Sequence, residues 1–405
     1  MIAPKKVAEG TWSKEAAKWD HLQDLRVVPV LGSEKKRMLA LGTPADVYVI
    51  NRENVPWLVD YYRQRWPFDM VVVDESTSFK SPTAKRFKAL RLVRRYMRKV
   101  VLLTGTPVSH GIEDLWSQIY LLDEGQRLGR TVTAFRQQYF TCNTHGGHYV
   151  EYTAKADAER QVLDAISDLC VSMTAEDYLQ LPDCVEHEVP VVLSDRQAKA
   201  YKAFEREMLI DLDEETITAA SAAVLTGKLL QFCAGAIYDA DKKAVAIHDE
   251  KLAAYMELLE ELDGAPCLTF YGFQHDRDRL QEALKKAGKR VRVYSGPADE
   301  DAWNAGELDV LLAHPASCAY GLNLQQGGQH VVWYTPTWSF EMNDQARCRL
   351  WRQGSPYDRV FVHYLTCTGT VDEDVLAAVR SRTDTHNAAM QILKARIEKA
   401  KGAVA

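Results

Sequence analysis

The chain is expected to be an α/β protein of two parallel-sheet domains with a helical piece between them. Three observations predict this. Short apolar runs alternate with amphipathic helical patterns, the rhythm of βα units. A second series of the same kind begins near residue 251 and reads as independent of the first. Between them, residues 126–250 are mostly amphipathic helix, as in RQAKAYKAFEREMLIDL and AAVLTGKLLQFC, with one β-like stretch at Glu186–Leu193. A length of 405 residues fits two or three domains, each with its own core.

The elements follow in chain order. In the opening MIAPKKVAEGTW, Ile2-Ala3-Pro4 reads as the end of a buried strand running into a basic loop at Lys5 and Lys6. Strands are predicted at Val47–Ile50, Met70–Val73 and Val100–Leu103, where β-rich apolar runs are bounded by polar or turn residues. Between Lys85 and Lys99, KRFKALRLVRRYMRK holds eight Lys/Arg and no acid. Phe87, Leu90, Val93 and Met97 in that stretch fall at helical spacing, as on the inner face of a surface helix. Its cations suit either a solvated face or phosphate contact, and the two are compatible. The second series of strands is Cys267–Phe270, Val291–Tyr294, Val310–Ala313, His330–Trp333 and Arg359–Leu365. The tail, NAAMQILKARIEKAKGAVA, reads as a helix over residues 381–405.

Composition narrows the class. With 46% hydrophobic and 26% charged residues, the chain has the balance of an ordinary globular protein. No apolar run approaches the roughly 20 residues needed to span a bilayer. Lysines near the start have no apolar segment behind them, so the opening is not a secretory signal. The eight cysteines form no CxxC pair, which argues against zinc and a disulfide framework and fits a reducing cytoplasm. A net charge of −6 does not point to nucleic acid, but local charge decides that in a large protein.

Four stretches carry chemistry. In VVVDESTSFK, Asp74 and Glu75 follow a buried strand directly, where side chains emerge at the carboxyl edge of a parallel sheet. One such carboxylate can hold Mg²⁺ and its neighbour can orient a water attacking a phosphoryl group; taken alone, the pair is a weak signal and more often just a solvated strand end. KVVLLTGTPVSHG ends a second strand in Thr104-Gly105-Thr106-Pro107, small enough for close backbone approach to a ligand or simply a capped turn. In TWSFEMNDQARCRLWRQGSP, Ser339 can cap a helix that Gly354 and Pro356 end. Gln345, Arg349 and Arg352 then share one helical face, suited to a polyphosphate or to offsetting the helix dipole. In VLLAHPASCAYGLNLQ, Ser317, Gly321, Asn323 and Gln325 could meet phosphate, relay motion, or form a turn.

In this order, these stretches resemble the SNF2-like branch of the superfamily 2 helicases and translocases, DEAD/DEAH-like ATPases. The chain looks closest to the short enzymes of phages and prophages. The resemblance runs from IAPKKV through DEST, LTGTP, GIEDLWSQIYLLD, LPD, WNAGELDVLLAHPAS, GLNLQ and QARCRLWRQG to GTVDEDV. It implies two RecA-like domains, a partial first one over residues 1–125 and a second over 251–380, with an SNF2-type helical insert at 126–250 between them. It further implies ATP and Mg²⁺ as cofactors and double-stranded DNA as partner, in a bacterial or phage-infected cytoplasm. Other phage replication or recombination proteins would be further partners. Carried over, Asp74 would position Mg²⁺, Glu75 would polarise the attacking water, and Arg349 and Arg352 would be arginine fingers with Gln345 and Gly321 near the nucleotide. Thr104, Gly105 and Thr106 would couple ATP to DNA, and Pro4, Lys5, Asn51, Ser317 and Asn323 would lie near the DNA strand. The expected output is ATP-driven translocation on duplex DNA.

The sequence departs from the family pattern in three places. His110 stands where TGTP is usually followed by Asn, and Ala319-Tyr320 where relatives tend to have Gly-His. A P-loop, GxxxxGK[ST], is absent: Gly227-Lys228 is followed by Leu, and Gly288-Lys289 by Arg. The family places that loop just before the strand that here begins at residue 1, so the resemblance implies a first sheet lacking its P-loop strand, with Val100–Leu103 unpaired on one side. It also leaves open a catalytically silent DNA-binding or scaffolding protein of the same fold.

Overall fold

The computed structural model describes residues 1–105, 107–108, 111–145, 149–173, 181–210, 219–318 and 322–381. It divides into two compact units, Met1–Met173 and Thr174–Ala405. The division falls inside the stretch read as a helical insert. Helices Val132–Tyr139 and Ala158–Ile166 join the core of the first unit through Phe135, Val162 and Ile166. Helices Asp195–Ile210 and Ala219–Ala234 join that of the second through Tyr201, Leu229 and Phe232. Thr106, His110, Ala319, Tyr320, Gly321 and the tail from residue 382 lie outside the described residues.

In the first unit, β1 (Ile2–Ala3), β2 (Val27–Val30), β3 (Val47–Asn51), β4 (Met70–Asp74) and β5 (Lys99–Leu103) form a parallel sheet in the order β2-β3-β1-β4-β5. Short as it is, β1 occupies the middle: Ile2 is in register with Ile50 on one side and Val73 on the other. Past Pro4 the chain does not enter the expected loop. It turns straight into helix, with a π-helical segment at Val7–Thr11 that buries Val7 and Ala8, followed by Trp12–Lys18. The inward Val7 and Ala8 explain why helix wins over a solvated loop there. At the other end of the sheet β5 pairs with β4 alone among the described residues, and Lys99 and Leu103 are exposed.

The basic stretch behaves as its spacing predicts. Helix Lys85–Val93 buries Phe87, Leu90 and Val93, and Met97 follows them into the core. Arg94 turns back to donate to the Leu121 and Leu122 carbonyls that end helix Leu115–Asp123, a C-terminal cap rather than a free cation. Lys85, Lys88, Arg91 and Arg95 remain exposed. A hairpin of β6 (Phe140–His145) and β7 (Tyr149–Ala154) closes the unit.

The second unit holds a larger parallel sheet, ordered β12-β13-β11-β14-β15-β8. Here β8 is Asp183–Val191, β11 Cys267–Phe270, β12 Val291–Val293, β13 Val310–Ala313, β14 His330–Trp333 and β15 Arg359–Cys367. Strands β11, β13 and β14 are wholly buried, because helices cover both faces of the sheet. The isolated β-like stretch near residue 186 becomes the sheet's outer strand, β8, paired along its length with β15. A small hairpin, β9 (Ala236–Tyr238) with β10 (Ala244–Ala246), lies between the helices. Among the described residues no helix is long and apolar enough to cross a membrane.

Candidate functional site

A parallel sheet delivers every strand end to one edge, and in the first unit that edge gathers half of the predicted site. Ala3 is in register with Asn51, and Asp74 with Leu103. Pro4-Lys5, Asn51, Asp74-Glu75 and Thr104-Gly105 therefore leave adjacent strands side by side. Burial pushes the half-buried Asp74 carboxyl above its ordinary value, opposed by hydrogen bonding from the Glu75 backbone. No basic side chain forms an ion pair with Asp74 among the described residues. Such a carboxylate fits a divalent cation, which would supply the missing positive charge.

Glu75 adopts φ 52°, ψ 59°, the left-handed region that a non-glycine residue rarely occupies. Strain of this kind, costing about 1–3 kcal/mol, persists where the surroundings fix it, and it clusters at functional sites. The loop that follows is held from below: Ser76 Oγ donates to Gln118 Oε1 at 2.7 Å, and Lys80 Nζ lies 3.4 Å from Asp114. At the far side of β1, Pro4 is buried while Lys5 is exposed and pairs weakly with Glu9 at 3.9 Å. Asn51 is buried, its amide donating to Glu53 Oε2 and its carbonyl oxygen accepting from Asn54. Its side chain is thus committed to the local turn.

In the second unit the carboxyl edge carries Ser317 and Asn323 after β13, and the helix Phe340–Arg347 after β14. Ser339 caps that helix as expected, accepting from the Met342 N–H at 3.2 Å. The helix is shorter than its sequence pattern predicts. It ends at Arg347, and the chain continues in tightened turns, with Arg349 N–H bonding to Ala346 O and Leu350 N–H to Arg347 O. Arg349 and Arg352 therefore lie on turns beyond the helix rather than on its face. They still converge: Arg349 Nη1 and Arg352 Nη1 approach Leu322 O at 3.3 and 3.4 Å, and Arg349 Nε donates to Gln345 O at 2.7 Å. Gln345 donates to Glu341, while its own side-chain oxygen is buried without a partner among the described residues. The Leu322-Asn323 segment is fixed in turn, since Asn323 N–H donates to Glu300 and Asn304 donates to Asn323 O. Ser317 is exposed. Gly321 and Thr106 fall outside the described residues.

Sequence reasoning missed the supports. Gln118 sits on the apolar stripe of GIEDLWSQIYLLD, between Leu115 and Ile119, and a lone amide on a buried stripe is the signal that could have found it. Asp276, fully buried, accepts from the Gly272 and Phe273 N–H groups and from Thr335 Oγ1. No spacing rule connects Asp276 to Thr335.

Known proteins place the chain. Residues 1–234 match the SNF2-related domain. Protein p41 of Acyrthosiphon pisum secondary endosymbiont phage 1 is 36% identical, over 97% of this chain and 88% of that protein. The DNA annealing helicase and endonuclease ZRANB3 of Homo sapiens is 25% identical over 89% of this chain, which spans only 33% of its length. Among solved structures, the Sulfolobus solfataricus SWI2/SNF2 ATPase core in complex with dsDNA aligns over 98% of this chain and 85% of that one, at 21% identity and a TM-score of 0.40. With more than half of its length matched, the chain belongs to the SNF2-related domain family.

Proposed function

We propose that the chain is the core of an ATP-driven translocase on double-stranded DNA. The observation that carries this reading is the placement of Asp74 and a conformationally strained Glu75 beside Thr104, at the strand-end edge of an SNF2-related domain. In the proposal Asp74 holds Mg²⁺, and its raised carboxyl would be drawn back to the ionised form by the metal. Bound ATP with Mg²⁺ supplies the phosphoryl group whose transfer to water drives the motion. Glu75 orients and polarises that water. Arg349 and Arg352 meet charge that develops on the phosphoryl oxygens, leaving the neutral Leu322 carbonyl for a stronger anionic partner, with Gln345 and Gly321 beside the nucleotide. Thr104, Gly105 and Thr106 link this chemistry to DNA, whose backbone meets Pro4, Lys5, Asn51, Ser317 and Asn323. Contacts of that kind hold DNA without reading its sequence.

The test is steady-state ATP hydrolysis with and without duplex DNA, for the chain itself and for Glu75→Gln. Turnover stimulated by DNA and abolished by Glu75→Gln supports the reading. Turnover that survives the substitution rules out the assigned site. Duplex binding with no turnover at all favours a silent DNA-binding protein of the same fold.

A further inference from the structure

The loop that carries the acidic pair and the loop that carries the small hydroxyl residues leave adjacent strands, β4 and β5, yet strand pairing stops at Asp74 and Leu103. Beyond that point the side chain of Gln118 reaches both loops. Gln118, on helix Leu115–Asp123, is 3% exposed and Ser76 is 1% exposed. Gln118 Oε1 accepts from Ser76 Oγ at 2.7 Å. Its Nε2 donates to Pro107 O at 2.9 Å and to Asp114 O at 3.0 Å. Both amide hydrogens and one oxygen lone pair are thus spent on three segments at once.

We propose that Gln118 is a positioning residue that fastens the Asp74-Glu75-Ser76 loop to the Thr104-Gly105-Pro107 loop, so that movement in one is felt in the other. The claim rests on the functional reading above for its consequence, but its geometry stands apart from it. A purely packing residue on this buried stripe would be apolar, as Leu115 and Ile119 are. An amide needed only to satisfy its own helix would stop at Asp114 O. The bonds to Ser76 and Pro107 join two loops that share no strand pairing past their first residue. Each runs through a group whose desolvation in this buried setting makes an unmade bond costly. Glu75 is one peptide bond from Ser76, so a shift of Ser76 Oγ acts directly on a residue held in the left-handed region.

The discriminating variant is Ser76→Ala, which removes one arm of the clamp and leaves Gln118 and its helix in place. Backbone hydrogen exchange in the full chain reads the result without any nucleotide. The expected outcome is that protection falls about fivefold at Thr104, Gly105 and Val108, on the loop that was not altered, as well as in the altered one. Gln118→Met should reproduce both changes, and Gln118→Glu, which keeps the oxygen facing Ser76 and loses the donors, should loosen the Pro107 side more than the Ser76 side. Exchange in Ser76→Ala confined to residues 75–79 overturns the proposal. A second readout follows from the functional reading: the ratio of DNA-stimulated to DNA-free ATP turnover should fall in Gln118→Met while KM for ATP holds. A chain with no turnover sinks that functional reading and leaves the exchange result to decide the clamp. Turnover in which both rates fall together, in parallel with lost stability, assigns Gln118 to folding alone and overturns its positioning role.

Discussion

Lys251 and Asp372 form an ion pair from which water is fully excluded: both are 0% exposed, with Nζ 2.5 Å from Oδ2. Burial alone would pull the Lys251 ammonium down, but the facing Asp372 carboxylate holds it above its ordinary value. The same carboxylate oxygen accepts from the Cys367 N–H at 3.0 Å, which ties helix Glu250–Glu261 to the end of β15 and the start of helix Val371–Arg380. Lys251→Met keeps the length of the side chain and strands a buried carboxylate. Removing one member of a buried pair costs about 3–5 kcal/mol, because the other charge stays desolvated. Asp372→Asn strands the ammonium instead, keeps an acceptor for Cys367, and should cost a similar amount. The double variant leaves no charge behind, so its cost should fall to about 1–2 kcal/mol, far below the sum of the singles. Hydrogen exchange of the β15 amides Val362 to Leu365, read as local unfolding free energy, gives all four corners of the cycle. If the double variant loses as much as the two singles added together, the pair is not a coupled unit and the reasoning is wrong.

Two further outcomes follow from the second and first sheets. His363, pulled down to about 4 by burial beside His330 and His187, takes its proton far more easily in the unfolded chain, where 6.5 is the ordinary value. Stability therefore falls as pH drops from about 6.5 toward 4, by up to roughly 3 kcal/mol from this group, and urea titrations at pH 7 and 4.5 should show His363→Phe flattening that loss; an unchanged pH dependence in the variant refutes the assignment. In the first sheet, β5 pairs with β4 alone among the described residues and is half exposed, whereas β13 lies buried between two neighbours. Amides of Val100–Leu103 should exchange about tenfold faster or more than those of Val310–Ala313, and equal protection would contradict the exposed-edge reading.

How much was legible in the sequence depended on how local the cause was. Cys267–Phe270, Val310–Ala313 and His330–Trp333 form strands over the predicted residues, since an apolar run buried on both faces announces itself. Strand β2 escaped because VVPV carries Pro29, which speaks against a sheet, and an outer position tolerates it. The partner of β8 could not be read at all, because pairing Asp183–Val191 with Arg359–Cys367 is a long-range event with no local signature. The helix ending at Arg347 is the opposite case: its periodicity continues to Arg352, but the backbone tightens after Cys348 while the side chains keep the convergence that the periodicity implied.

The supports of the site share one physical logic that explains why sequence patterns pass over them. Loops at the carboxyl edge must stay polar enough to meet ligands, so they cannot be anchored by apolar burial of their own. Each is fixed instead by polar side chains from outside its strand. Gln118 reaches Ser76 and Pro107. Asp276 joins the Gly272-Phe273 turn to Thr335, a contact so close that a Cβ at Gly272 would stand 2.8 Å from the Thr335 methyl. Glu300 and Asn304 hold the backbone of Asn323 from both sides. Hydrogen bonds are directional where apolar contact is not, so such fasteners fix the spacing of strand ends within a narrow range. Strand-end loops that hold polar groups at set distances need that kind of constraint, and the residues supplying it are those that neither periodicity nor motif order selects.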